Sequence, residues 1–372
     1  MNAPDETPNA AKPSSEGSAD LVGGGSDKKT SEGSAGGLDG WIRSNPWHPR
    51  IAPFFCWILF MTAAQFLLSA EALQPVKPFL YLAQCVVTCW LLWHYRKLTP
   101  ELNLKFHWLA VPTGVGLLVA WVVLGYAMCG ELGWRWEQAM AGQWAAALGE
   151  FPYAELGREP NRFGPELDAD GQTIPHPLNE QINTHPALGY FALGLRLLGM
   201  ALIVPLFEEM FIRSAMLRGL QRPGPTMTGL LQFASDLPGV GDWISNTAAG
   251  KKANDQPPAF TKQLTETPVG SVTLFAVIAS TIVFTASHAP RDWPGCIACG
   301  IVWCWLVWYT NRPRPQKNET WRSVNGLAED APAQELISGG GRLGLGPVAW
   351  SHGITNALLW AYTVLGNDWR FL

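Results

Sequence analysis

Glu208 and Glu209 stand side by side, with Arg213 four residues beyond the second, inside the otherwise apolar run 204–218. A charged side chain near the middle of a bilayer costs roughly 2.5 kcal/mol or more, and groups kept at that cost usually belong to a functional site. On an α-helix Glu209 and Arg213 share a face, while Glu208 points about 100° away. One carboxylate can then be paired and held, which leaves the other to react. The plainer reading of the same residues is an interhelical polar clamp, or a surface helix with its charges in water. Further along, His288 closes Phe284-Thr-Ala-Ser-His288, while His352 and Asn356 are four residues apart and project from one helical face. A lone membrane histidine is more often a packing residue, but two of them alongside paired glutamates shift that balance.

Such a set can activate water. A carboxylate in a low dielectric accepts a proton near neutral pH, and an adjacent imidazole can share the water or relay its proton. An Asn amide and a second imidazole can donate to the oxyanion of a tetrahedral intermediate, an effect worth roughly 3 kcal/mol per donor. Amide hydrolysis inside a membrane is therefore within reach. Two His and a Glu could instead hold a hydrolytic zinc ion. Ser287 and Ser351 directly precede the histidines; adjacent helical residues face apart, so neither is read as a Ser–His nucleophile pair. The sequence contains no His-Glu-x-x-His and no Gly-x-Ser-Gly. Gly239-Val-Gly-Asp242 lies in a polar Pro/Gly stretch without a partner Tyr-Asp and reads as a turn. Asp168-Ala-Asp-Gly171 opens like a calcium loop but lacks the later ligands. Cys296-Ile-Ala-Cys299 has no second pair and reads as small-residue helix packing, with no structural disulfide expected.

These residues need a membrane scaffold. The chain is 48% hydrophobic and 15% charged, with 19 Trp and 16 Phe, which is too apolar for an ordinary soluble domain. A net charge of −4 offers no basic excess for nucleic acid. The expected fold is all-α, a polytopic transmembrane helical bundle. Residues 1–40 are Gly/Ser/Ala-rich and read as a disordered tail, with no apolar segment after Met1 to form a cleaved signal peptide. Residues 41–128 hold three spans, Ile51–Ala70, Lys77–Tyr95 and Trp108–Met128. The stretch 129–185 reads as an extramembrane acidic loop with an interfacial helix at 131–148. The remaining spans occupy 186–366: Pro186–Leu220, Ser271–His288, Trp293–Tyr309 and Gly346–Leu365, with polar loops at 221–270 and 311–345. Pro186–Leu220 overshoots a bilayer core of roughly 30 Å, and Pro205 should kink or divide it, giving seven spans or eight. Lys28, Lys29, Arg43 and Arg50 before the first span, and Arg96, Lys97 and Lys105 after the second, place those ends in the cytoplasm. Simple alternation never brings Glu208, His288 and His352 to one depth, so some segment must be tilted, broken or partly re-entrant.

Glu208-Glu209-x-x-x-Arg213, Phe284-x-x-x-His288 and His352-x-x-x-Asn356, in that order and each at an apolar segment, resemble the three motifs of the CAAX protease and bacteriocin-processing (CPBP, or Abi) family. That family contains the intramembrane glutamic endopeptidases that process CAAX proteins, and the resemblance covers roughly Pro186–Leu365. It implies Glu208 as general base, His288 as a second holder of the attacking water, and His352 with Asn356 as oxyanion stabilisers. Glu209 and Arg213 would support the site and Phe284 would pack beside it, with no metal and no cofactor. The implied partners are the lipid bilayer and a membrane-associated protein or peptide substrate, cut near its C-terminus in the CAAX-processing members. The implied location is a bacterial inner membrane, multi-pass, with the N-terminus cytoplasmic. Two rival readings are a non-enzymatic immunity or scaffold protein that keeps the motifs for stability, and a proton-coupled carrier in which Glu208 forms an ion site.

Overall fold

A computed structural model describes residues 37–67, 76–127, 182–183, 185–237, 240–288, 292–312 and 343–366. Residues 1–36 of the expected tail, nearly all of the acidic loop with its interfacial helix, the Asp168 motif, Cys129 and most of 311–345 lie outside these residues, while the last residues expected in the tail, from Leu38, open a helix. All helical elements longer than one turn are numbered in chain order: α1 Leu38–Ser44, α2 His48–Leu67, α3 Lys77–His94, α4 Ala110–Ala127, α5 Pro186–Gly219, α6 Pro223–Ser235, α7 Gly241–Asn246, α8 Ala248–Asn254, α9 Ala259–Glu266, α10 Leu274–Ala286, α11 Trp293–Asn311 and α12 Gly346–Gly366. Three of them, α4, α5 and α11, are long and apolar enough to cross a membrane, and α10 is a shorter apolar helix. The chain is an all-α, multi-pass membrane protein. The 20, 18 and 21 residues of α2, α3 and α12 match a bilayer in length at lower hydropathy.

Pro205 does not divide the long apolar run, which is one helix of 34 residues. Proline has no N–H to give the carbonyl one turn back, and the strain is absorbed by a widened π stretch at Gly199–Ile203 just before it. α12 packs on that stretch. A Cβ at Gly353 would lie 2.5 Å from the Ala201 carbonyl oxygen, and the Asn356 amide donates to the Met200 carbonyl at 2.9 Å. α12 also packs tightly on α4, where a Cβ at Gly114 would meet the Ser351 carbonyl at 2.8 Å and Thr355 donates to the Gly114 carbonyl at 3.1 Å. Glycine here serves close helix approach.

The ends of four helices meet. Thr273, which caps α10, donates to the Gln221 carbonyl at 3.0 Å just past α5. Asn311 at the end of α11 brackets Gly344 just before α12, donating to its carbonyl at 2.9 Å and accepting from its N–H at 2.8 Å. Measured along the helices from that end at 1.5 Å per residue, Glu208 lies roughly 15 Å in and His352 roughly 9 Å in, while α10 stops after roughly 20 Å. Because α10 has only 13 residues, it ends just before His288 at a depth short of the far ends of the longer helices. This is how three motifs that alternation would scatter come together.

The stretch expected as a polar loop at 221–270 is instead largely helical, as α6 to α9. Local polarity concealed a few strong anchors. The Thr247 hydroxyl caps α8 by accepting from Gly250 N–H at 3.0 Å, and Phe260 and Leu264 of α9 are buried, with Phe260 against Trp47 and Phe233. Of the Gly239-Val-Gly-Asp242 motif, the described part opens α7, where a Cβ at Gly241 would strike the Ser235 carbonyl.

Beside the helix ends Glu101 is buried between two arginines. Arg50 forks onto it with Nε to Oε1 at 2.6 Å and Nη2 to Oε2 at 3.0 Å, and Arg218 approaches Oε1 at 3.4 Å. Ser214 donates to the same oxygen, while Arg218 also donates to the Leu264 and Thr267 carbonyls at 2.7 and 2.8 Å. Burial by itself would raise the Glu101 pKa, but the two guanidinium charges and the hydrogen bonds from Arg50 and Ser214 outweigh it and hold it below the ordinary carboxylate value. A depressed folded-state pKa gives stability that is complete above the unfolded pKa and is lost as pH falls through the folded one. The unfolding temperature of the detergent-solubilised protein should therefore not fall on account of Glu101 between pH 7 and about 5, and should lose this contribution only below about pH 4.3. Glu101→Leu leaves both guanidiniums buried without their carboxylate and should cost about 3–5 kcal/mol at pH 7, read from the same unfolding measurement.

Candidate active site

Glu208 and Glu209 leave α5 just before a second π stretch, Met210–Met216. Glu209 is fully buried and held on two sides: its Oε1 lies 2.8 Å from His352 Nδ1 and its Oε2 lies 3.3 Å from Arg213 Nε. None of the three Arg213 nitrogens has a hydrogen-bond partner among the described residues. Its charge is met by that carboxylate and by two aromatic rings, Phe284 at 5.1 Å and Trp303 at 5.6 Å from the guanidinium carbon. Glu208 differs in both respects. Its side chain is 13% exposed against 0% for Glu209, and its Oε2 faces His352 Nε2 at 3.8 Å without a hydrogen bond. The helical spacing thus separates the two acids as expected, into one held and one freer.

His352 sits between the two carboxylates. Since Nδ1 is in hydrogen-bond contact with an acceptor-only carboxylate, Nδ1 carries the proton, and in the neutral ring Nε2 presents its lone pair toward Glu208. The tautomer is assigned from this network. Trp303 of α11 lies on the imidazole, with ring centroids 4.1 Å apart and planes 27° from parallel, and its Nε1 donates to Ser351 Oγ at 3.2 Å. The sequence offered no signal for it, because one Trp among 19 on an apolar helix looks like any other.

His288 joins this group through aromatic contacts. Its ring stands edge-on to Phe284 at 4.7 Å, and Phe284 stands edge-on to Trp303 at 5.9 Å. His288 Nδ1 is 2.9 Å from the Phe284 carbonyl, so Nδ1 donates and Nε2 is left with the lone pair. Ser287 Oγ is also 3.2 Å from that nitrogen, which corrects the expectation that adjacent residues face apart; α10 ends at Ala286, so helical spacing no longer applies. A nitrogen already donating cannot take the serine proton, and the Ser287 hydroxyl itself reaches the Phe284 carbonyl at 2.7 Å. Asn356 is partly buried, and its amide is engaged by Met200 rather than turned to His352.

Glu208, Glu209, Arg213 and His352 are therefore in direct contact, Phe284 packs on Arg213, and His288 and Asn356 flank them. Among the described residues no group of three or more His, Cys, Asp and Glu side chains is arranged to hold a metal ion, and the six described cysteines, Cys296 and Cys299 included, are free thiols. No protein-family model, curated protein or solved structure matches the chain. The likeness in motifs accordingly rests on the residues themselves.

Removing one member of a buried ion pair strands the other. Arg213→Met should lower stability by about 3–5 kcal/mol, and combining it with Glu209→Gln should cost less than the sum of the two single changes by about 1–3 kcal/mol, as read in a double-mutant cycle of detergent unfolding.

Proposed function

We propose that this protein is a metal-independent, glutamate-dependent intramembrane endopeptidase that hydrolyses peptide bonds of membrane-associated protein substrates, in the manner of CAAX-type C-terminal processing. The observation that carries this reading is the 3.8 Å separation of Glu208 Oε2 and His352 Nε2 beside a carboxylate that is already neutralised. Two polar atoms too far apart to bond directly, yet aimed at each other, suit a water that touches both. Glu208 takes a proton from that water as its oxygen attacks the scissile carbonyl carbon. The tetrahedral oxyanion is stabilised by the second N–H of the Asn356 amide on α12, whose first is given to the Met200 carbonyl, and the proton then passes from Glu208 to the leaving amine as the C–N bond breaks.

His352 is the imidazole nearest the base in this geometry, which gives it a share of the water-holding role that the motif resemblance assigns to His288. Glu209 and Arg213 keep the site near neutral overall, so that Glu208 is not repelled by an uncompensated neighbour. The bundle would cross the bilayer seven times, by α2, α3, α4, α5, α10, α11 and α12, in a bacterial inner membrane. The end carrying Arg50, Arg96 and Arg218 would face the cytoplasm.

Glu208→Gln tests the base with little change in shape. Cleavage by protein reconstituted in liposomes should fall about 10²–10⁴-fold while the unfolding temperature stays put. Membrane proteomes of cells carrying the two forms should differ in the C-termini of the substrates, which also identifies them. Undiminished cleavage by the variant would exclude Glu208 as the base.

A further inference from the structure

We infer that Trp303 is a positioning residue for His352, acting with Ser351 as a two-point grip that keeps the imidazole Nε2 turned toward Glu208. The inference rests on the hydrolase reading for its kinetic consequence but on geometry for its physical one. A hydrogen bond from Nδ1 to Glu209 fixes one atom of the ring and leaves it free to swing about that contact, because the terminal torsion of histidine is broad. A second constraint is needed to fix the plane. The indole supplies it by covering one face of the ring at 4.1 Å and 27°.

The indole is itself immobile. It is 1% exposed, is touched edge-on by Phe284 at 5.9 Å, and is tied by Nε1 to Ser351 at 3.2 Å. Ser351 immediately precedes His352, so Trp303 bonds to one residue of α12 and stacks on the next. α11 and α12 therefore cannot slide past each other without moving the imidazole. This also gives a purpose to Ser351, whose hydroxyl accepts from the indole and is not aimed at a reacting group. The same indole lies 5.6 Å from the Arg213 guanidinium carbon, so one aromatic ring borders both partners of Glu209.

The test uses the full chain labelled with ¹⁵N-histidine in detergent micelles, with Trp303→Leu, Trp303→Phe and Ser351→Ala compared with the unsubstituted protein. The unsubstituted protein should show His352 with a protonated Nδ1 and a lone pair on Nε2. In Trp303→Leu the two nitrogen signals should move toward each other as the ring loses its fixed plane, whereas Trp303→Phe, which keeps a stacking face, should retain most of the separation. In the cleavage assay Trp303→Leu should lower kcat about a hundredfold with KM within about twofold, the cost expected of a displaced catalytic group. Trp303→Phe should restore all but about threefold of that loss. If Trp303→Leu does not fold, Ser351→Ala carries the test: it removes only the hydrogen bond and should shift both readouts in the same direction by a smaller amount. His352 signals and kcat unchanged in Ser351→Ala and, where it folds, in Trp303→Leu would overturn the inference. Signals that respond as expected in a protein with no hydrolase activity would support the positioning role and overturn the hydrolase reading.

Discussion

A carboxylate with no access to water must be neutralised where it stands, and Glu209 is such a group. The cost of an isolated charge in an apolar interior runs to many kcal/mol. Its two oxygens are therefore assigned, one to Arg213 on its own helix and one to His352 on α12. That double requirement fixes the relative placement of α5 and α12, fixes the tautomer of His352, and leaves Glu208 as the acid without a committed partner. The rest of the bundle can be understood as what permits this contact. Pro205 and the π stretch before it shape α5, Gly353 lets α12 come close enough, and Asn356 ties the two helices one turn further on.

Depth is the second constraint. Helices that all cross fully would leave the end of α10 far from Glu208. A helix of 13 residues reaches only roughly 20 Å, and so delivers Phe284 to the level of the carboxylates and leaves His288 about one turn beyond it. The shortness costs little, because α10 is capped at its start by Thr273 and is backed along its length by α11, where a Cβ at Gly300 would run into Thr281.

The site residues were legible because charge in an apolar run is conspicuous and because i, i+4 spacing converts directly into a shared face. Glu209 with Arg213 follows from that alone. What the sequence could not show was pairing across helices. His352 and Glu209 are 143 residues apart, and no periodicity says that their side chains meet. Trp303 was invisible for a different reason: its value lies in where its ring plane falls, which composition does not encode. The helices α6 to α9 were hidden by Gly, Pro and Lys on their surfaces, since the buried face of each is only one or two residues such as Phe260 and Leu264. Pro205 invited a break that a widened turn avoided. Arg50 reads in the sequence as a charge that orients the first span, whereas in the fold it forks onto a buried acid.

The two buried acid clusters show why one is a staple and the other a site. Around Glu101 every nitrogen of Arg50 and Arg218 has an acceptor, and Ser214 closes the remaining gap. A network so fully satisfied gains nothing from admitting another group, and its worth is rigidity at the point where α2, α5, α9 and the approach to α12 meet. Around Glu209 the same ingredients are arranged differently. Arg213 has three nitrogens without hydrogen bonds, Glu208 and Glu209 each have an oxygen without one, and aromatic faces replace some of the acceptors. Polar atoms without hydrogen bonds are costly in a low dielectric, so a cluster arranged this way has capacity for a further polar group. This second cluster is where the paired glutamates meet His352, with His288 one aromatic contact away through Phe284.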